Sequence, residues 1–345
     1  MRQLFRVLFC VALVLGTLGG FAGAQDLRPL GTDMGTLLTG FGESIMPNLQ
    51  QNVLSDDGIG AASMGKSRFF VALEGGATFG SPGLLAPLAQ SPTPFQLIDV
   101  NGLITNFVTD PTASSYISKI ESMGYFPYPD TKVVVGVKPA YGIEIIGTFA
   151  ILPQGLTDFA TGLASLGSAG IQLSTLSASL HVRKVLIEDA GGFPAVSVGA
   201  GYAYTSFHAG YTLPNQTQTI SGGYTLTYGG PITLDSRLNT AGVDLTLSKR
   251  FLVFTPFVQV SPWYQWSTFT GSMDLSGVTL TSGGVPVAGV ILPTSPAITL
   301  SLNNLSFVVS GGVEVNLGGF ALVPAGSFDL SNKNFSANLS TRFQF

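Results

Sequence analysis

Charged side chains are scarce in this sequence, and they fall in a pattern. Glu74, Lys132, Lys138, Glu144, His181, Arg183, Asp244, Glu314 and Arg342 each sit on the polar parity of a segment whose other parity is apolar. Residues two apart in an extended chain share a face, so these groups collect on one face. Carboxylates, ammonium and guanidinium groups gathered there can neutralise one another as ion pairs, or form a belt that selects solutes by charge. Metal chemistry needs several ligands at set spacing, and the only histidines, His181 and His208, have none. The strings G-x-S-x-G, H-E-x-x-H and the Walker sequence are absent. Gly199-Ala200-Gly201 lies in a strand-like run, without the strand-to-helix context of a phosphate loop. The residues therefore give no catalytic group, no metal, no cofactor, and a protein that is not an enzyme. His181 reads as a hydrogen-bonded interior histidine beside Arg183, and His208 as a solvated residue at a loop edge.

The elements that carry these groups are strands. Period-two alternation recurs over residues 68–79, 132–138, 141–151, 171–184, 195–207, 239–249, 251–266, 305–317, 320–329 and 334–345. Short connections alternate with long ones, at 80–131, 152–170, 208–238 and 267–304. Two of the long stretches, 217–234 and 278–302, alternate themselves and contain Gly-Gly turn signals. They would lengthen hairpins or add spanning strands, so ten strands are expected and twelve to fourteen stay open. Aromatics mark strand ends: Phe69 and Phe79, Tyr202 and Tyr204, Tyr264 and Trp266, Phe343 and Phe345.

Composition says which solvent these strands meet. Of 345 residues only 10% are charged, whereas a soluble domain carries about 25%. Arg2 and Arg6, the apolar run from Leu8 to Leu18, and Ala22-Gly23-Ala24 read as a secretory signal peptide over residues 1–24. Its removal takes away two arginines, moving the net charge from −4 to about −6, which argues against nucleic acid. It also takes away Cys10, the only cysteine. No later apolar run is long enough for a spanning helix. An exported, apolar chain without such a helix can cross lipid only as a closed β-barrel. Short turns then face the periplasm and long loops the outside, with both chain ends periplasmic.

Residues 25–66 differ: Met34, Leu37, Leu38, Phe41 and Ile45 recur at helical spacing up to Pro47. This segment would be a plug, a periplasmic lid or a mobile leader, ahead of a barrel over residues 67–345. In a barrel the charged parity lines the lumen. Lys138, Glu144, His181, Arg183, Glu314 and Arg342 fall toward the periplasmic half, and Glu74 and Asp244 near the middle, with Glu74 close enough to meet Arg342. Val134, Ile146, Ala150, Val308 and Phe207 make the outer half of the lumen more apolar, either as packing or as a pocket for a hydrophobic ligand.

The last segment, with Phe335, Leu339, Phe343 and the terminal Phe345, resembles the C-terminal signal of Gram-negative outer-membrane β-barrel proteins. That resemblance implies an all-β transmembrane antiparallel up-and-down barrel in the outer membrane, inserted by the barrel-assembly machinery, contacting outer-membrane lipid, and monomeric. The segment 25–66 echoes the luminal plug of fatty-acid-type transporters of hydrophobic compounds. Ten-stranded outer-membrane proteases need paired acids and an Asp–His pair at the outer rim, and the sequence offers no such set. The expected function is a narrow channel or passive transporter for small or hydrophobic solutes. The alternative is a barrel-anchored surface-interaction protein that works through its outer loops.

Overall fold

The computed structural model describes residues 26–54, 60–80, 97, 126–152, 172–190, 192–220 and 222–345. The expected signal peptide, and most of the connections at 81–125 and 153–171, lie outside these residues. One helix, α1 (Arg28–Leu54), precedes twelve strands. They are β1 (Phe69–Gly80), β2 (Phe126–Val137), β3 (Ile143–Leu152), β4 (Gln172–Ile187), β5 (Ala195–Ile220), β6 (Tyr224–Ser248), β7 (Phe254–Met273), β8 (Thr279–Ser282), β9 (Val285–Pro286), β10 (Ala297–Asn316), β11 (Phe320–Asp329) and β12 (Phe335–Gln344).

Ten of them close a barrel. Each pairs antiparallel with its neighbour, β7 pairs with β10, and β12 returns to β1 through a register running from Phe70↔Gln344 to Phe79↔Phe335. Closure satisfies every ladder and leaves no edge. The strands β8 and β9 form a small hairpin on the outer end of β6.

The two faces are inverted relative to a soluble protein. Leu73, Leu180, Leu305 and Leu339 are at least half exposed on the outer surface, while Glu74, Arg183 and Arg342 are at most 1% exposed inside. An apolar belt around the whole circumference is stable only in lipid. Aromatics rim it: Phe69 lies 6.2 Å from Phe345, Phe79 stacks on Phe335 at 4.6 Å, and Tyr202 lies 6.1 Å from Trp266.

One end has tight turns. Tyr141 and Gly142 both have positive φ, as a two-residue type I′ hairpin requires, and Ile143 donates to the Ala140 carbonyl at 3.0 Å. At the same end Asp189 accepts from Lys249 and from the Arg250 amide, tying two turns together. Burial pushes the Asp189 carboxyl up, but these hydrogen bonds outweigh it and hold it below the ordinary value. At the other end β5 and β6 run on as a hairpin to Ile220 and Tyr224. The stretch 208–238, expected as a long connection whose part 217–234 lengthens a hairpin or adds strand, is a hairpin extension almost throughout; its alternation persists because the extension still packs one face inward.

Helix α1 lies within the barrel, against β1, β2, β5, β6, β7, β10 and β12. Leu27, Leu30, Met34, Leu38, Met46 and Leu49 are buried in one apolar cluster with Phe207, Leu234, Leu238, Phe269 and Met273. Gly42 faces Phe269 so closely that a Cβ there would stand 2.6 Å from the ring. Two expectations need correction here. The helix does not stop at Pro47 but continues to Leu54. Proline removes one backbone hydrogen bond, and the burial of Met46 and Leu49 on either side holds the helix through it. Nor are both ends of the chain at the periplasmic side. Phe69 and Phe345 are, but the Leu27 amide donates to the Ile291 carbonyl at 3.0 Å, in the outer connection between β9 and β10. The chain thus runs from the outer mouth down the lumen before it enters β1.

This direction predicts a labelling pattern. With a membrane-impermeant maleimide on intact cells, Arg28→Cys reacts and Tyr141→Cys reacts only after the outer membrane is permeabilised. The reverse pattern would place the helix the other way up.

Candidate functional site

The lumen floor is where the charged residues meet the chain that crosses it. The tight periplasmic turns fix the heights of β2, β3 and β4, and these bring Lys138, Glu144 and Arg183 together below α1. Residues 60–65 pass over them as a strap. Gly60, at φ 69°, packs on Phe257 and Val323, where a Cβ would meet both side chains within 3 Å. Arg183 donates through Nη1 to the Ala61 carbonyl at 2.8 Å, and the Ala62 amide donates to Ser248 Oγ at 2.9 Å. The Met64 amide donates to Glu144 Oε1 at 2.8 Å, and Lys138 Nζ to the Gly65 carbonyl at 3.0 Å. Glu144 is itself held by Arg183, whose Nε and Nη2 reach Oε2 at 2.9 and 2.5 Å. Both side chains are essentially buried. Removing either partner of such a pair strands a charge, at a cost of about 3–5 kcal/mol.

The remaining sites resolve into pairs. Lys132 Nζ lies 3.3 Å from Glu74 on the adjacent strand. Arg342 pairs with Glu314 and stacks its guanidinium 5.5 Å over the Phe70 ring. Register sets Glu74 opposite Ser340 and Lys132, two residues along β12 from Arg342. His181 Nε2 lies 2.5 Å from Asp244 Oδ2. Asp244 stands four residues above the periplasmic end of β6, opposite Gly199 and in register with Arg183, two residues below the His181 rung.

These two residues are on β4 and β6, with β5 between them. They meet because β5 offers Gly199 and Gly201 at that height, where a Cβ would overlap the His181 imidazole. The glycine run set aside as lacking phosphate chemistry is thus a gap that lets a side-chain hydrogen bond cross a strand.

Three further placements correct the sequence reading. Val134 and Ile146 do not line the outer half; they pack with Phe70, Ala72 and Met64 at the periplasmic level, under the strap. The apolar outer half is real but is built by α1 and the β5–β6 hairpin. His208 is no loop residue: it lies on β5 with Nδ1 2.8 Å from Asp235 Oδ1 on β6, so an Asp–His pair does stand on the outer extension. Sequence reasoning missed it because both residues fell in a presumed loop. It also missed Glu188, which binds Lys138 at 3.1 Å and Ser63 Oγ at 2.9 Å from a turn whose facing no periodicity could assign.

The assembly-signal residues lie on the seam strand. Leu339, Phe343 and Phe345 are more than half exposed to lipid, and Phe335 stacks on Phe79 across the β1–β12 pairing.

The glycine gap gives a quantitative expectation. Gly199→Ala separates His181 from Asp244 and destabilises the refolded barrel by about 3 kcal/mol in a urea titration. Gly75→Ala, on the lipid face with open space around it, changes stability by less than about 0.5 kcal/mol. Equal effects would deny the gap its role.

No family model matches the sequence, and no curated protein does either. Solved structures do. The chain is similar to the outer membrane protease OmpT from Escherichia coli, at 10% identity, covering 84% of this chain and 100% of that one with a TM-score of 0.44. It is similar to the translocator domain of the autotransporter NalP from Neisseria meningitidis, at 10% identity, 91% and 99% coverage and a TM-score of 0.39. It is also similar to the Ralstonia pickettii toluene transporter TbuX, at 10% identity, 96% and 100% coverage and a TM-score of 0.27. Likeness at this level carries no activity across. The expectation that the chain is not an enzyme does not stand, since a protease is among the barrels it is similar to. Closed antiparallel strands, a lipid-facing apolar belt and a charged interior have one physical home. The chain is a closed antiparallel β-barrel built to span lipid, similar in fold to outer-membrane barrels.

Proposed function

We propose that the protein is a gated passive channel for small solutes, with residues 25–66 as the plug and the strap 60–65 as its latch. One observation carries the reading. The lumen wall is polar where a permanently packed interior would be apolar. Ser197, Gln265, Asn334 and Ser340 are at most 2% exposed, and among the described residues Ser197 Oγ, Gln265 Oε1, Asn334 Nδ2 and Ser340 Oγ find no hydrogen-bond partner. Each such group costs about 1–3 kcal/mol when left dry. Water or a polar solute against the wall removes that cost, so the wall chemistry suits a hydrated path. The latch opposes this. Its bonds to Glu144, Arg183, Lys138 and Ser248 join backbone to side chain, and can break without unfolding the ten-strand closure.

A second reading uses the barrel as an anchor for surface interaction, favoured by the β5–β6 hairpin that projects beyond the outer rim. Deleting the hairpin tip, residues 214–229, leaves a channel's flux in place and abolishes binding by an adhesin.

Planar-bilayer recordings test the gate. The native chain conducts rarely, and Glu144→Gln raises the open fraction about tenfold to a hundredfold, as expected for losing a hydrogen bond to a charged group worth about 1.5–3 kcal/mol. Ser248→Ala, a neutral bond, raises it by less. A native-like open fraction in both folded variants, and in a chain lacking residues 26–66, would overturn the gate.

A further inference from the structure

We propose that the permeating solute is a small neutral molecule rich in hydroxyl or amide groups, and that its path follows the β12 face of the lumen. This deepens the gated-channel reading and rests on it. Asn334, Ser336, Asn338 and Ser340 point inward in strict alternation and are 2%, 3%, 6% and 0% exposed. With Arg342 they form a ladder of hydrogen-bonding groups roughly 27 Å long, at about 3.4 Å per residue. That length is close to the hydrocarbon thickness of a bilayer.

The neighbouring strands make the ladder a trough. Asn338 lies between Gly76 and Ala325, and Arg342 between Ala72 and Ala321. A Cβ on Gly76 would collide with the Asn338 side chain. Ser336 lies between Thr78 and Ser327, and its hydroxyl is 2.6 Å from that of Ser327. Small residues flank large polar ones, so a solute on this wall meets amides and hydroxyls first. Among the described residues, Asn334 Nδ2 at the outer mouth has no acceptor, and Ser340 Oγ lower down has neither donor nor acceptor.

The chemistry selects the solute. Between Asn334 and Ser340 the ladder itself carries no formal charge; Glu74, opposite Ser340, is neutralised by Lys132, and Arg342 at the foot by Glu314. An ion on this path would shed water and meet only charges already paired with one another. An apolar solute would leave Asn334 Nδ2 and Ser340 Oγ unsatisfied, the case against which a polar site discriminates most strongly. A polyol or a small amide offers partners to both.

Proteoliposome swelling tests this with the full chain carrying Glu144→Gln, to weaken the latch. Erythritol and sodium lactate, similar in size, serve as neutral and charged probes. The expected result is erythritol uptake about tenfold above protein-free vesicles, with lactate well below it. In the same background Ser340→Val, or Asn334→Leu if the first does not give a heat-modifiable folded band, lowers erythritol uptake about fivefold or more. Equal passage of erythritol and lactate, or unchanged uptake in a folded ladder variant, overturns the proposal while the gate stands. No passage of either probe, together with silent bilayer recordings, removes the gate and this proposal with it.

Discussion

Backbone amides in a bilayer have no water to turn to, and that constraint organises everything else in this molecule. It forces β12 to return to β1, and a closed ring of ten strands has only an inside and an outside. Lipid claims the outside, so leucines, valines and aromatics go there. A charge that faces the interior must find a partner within a few ångströms. The pairs Lys132–Glu74, Arg183–Glu144 and Arg342–Glu314, and the His181–Asp244 hydrogen bond, meet that demand.

The interior so created is not uniform. At the periplasmic level the charges are spent on each other and on the backbone of residues 61–65. In the outer half, α1 and the β5–β6 hairpin build an apolar core of their own. Between them the β10 and β12 walls keep hydroxyls and amides. Strong packing at one level, ionic bonding at another and poorly satisfied polar groups in between are what a part held in place but able to move would show. A uniformly packed interior would have no such gradient.

Much of this was legible because period two is a strong signal when it repeats. The final segment alternates without interruption, and its inward and outward residues were assignable from sequence alone. The shared parity of the nine charged sites was readable for the same reason. Their partners were not, because pairing depends on register between strands distant in sequence. His181 and Asp244 meet only because two glycines on the strand between them let them pass. The heights of Val134 and Ile146 were misjudged because β2 begins at Phe126, not near residue 132, and the midpoint of the strand moves with its start. His208 and Asp235 were hidden because alternation beyond the membrane was taken for loop.

The direction of α1 has a consequence for how the molecule comes to exist. Asp26 sits at the outer mouth, while β1 begins at the opposite end of the ring that β1 itself helps to close. The chain passes through its own hoop. Such a thread has two histories: the hoop forms around a segment already in place, or the free end is fed through a finished hoop. In the first the segment serves as a mandrel on which the last two strands meet, and the apolar stripe of Leu30, Met34 and Leu38 is shielded before the seam shuts. In the second an unfolded, partly apolar strand must cross a polar bore and coil only afterwards. Since α1 packs on both β1 and β12, the two sides of the seam, the mandrel route places helix and seam in a single cooperative step.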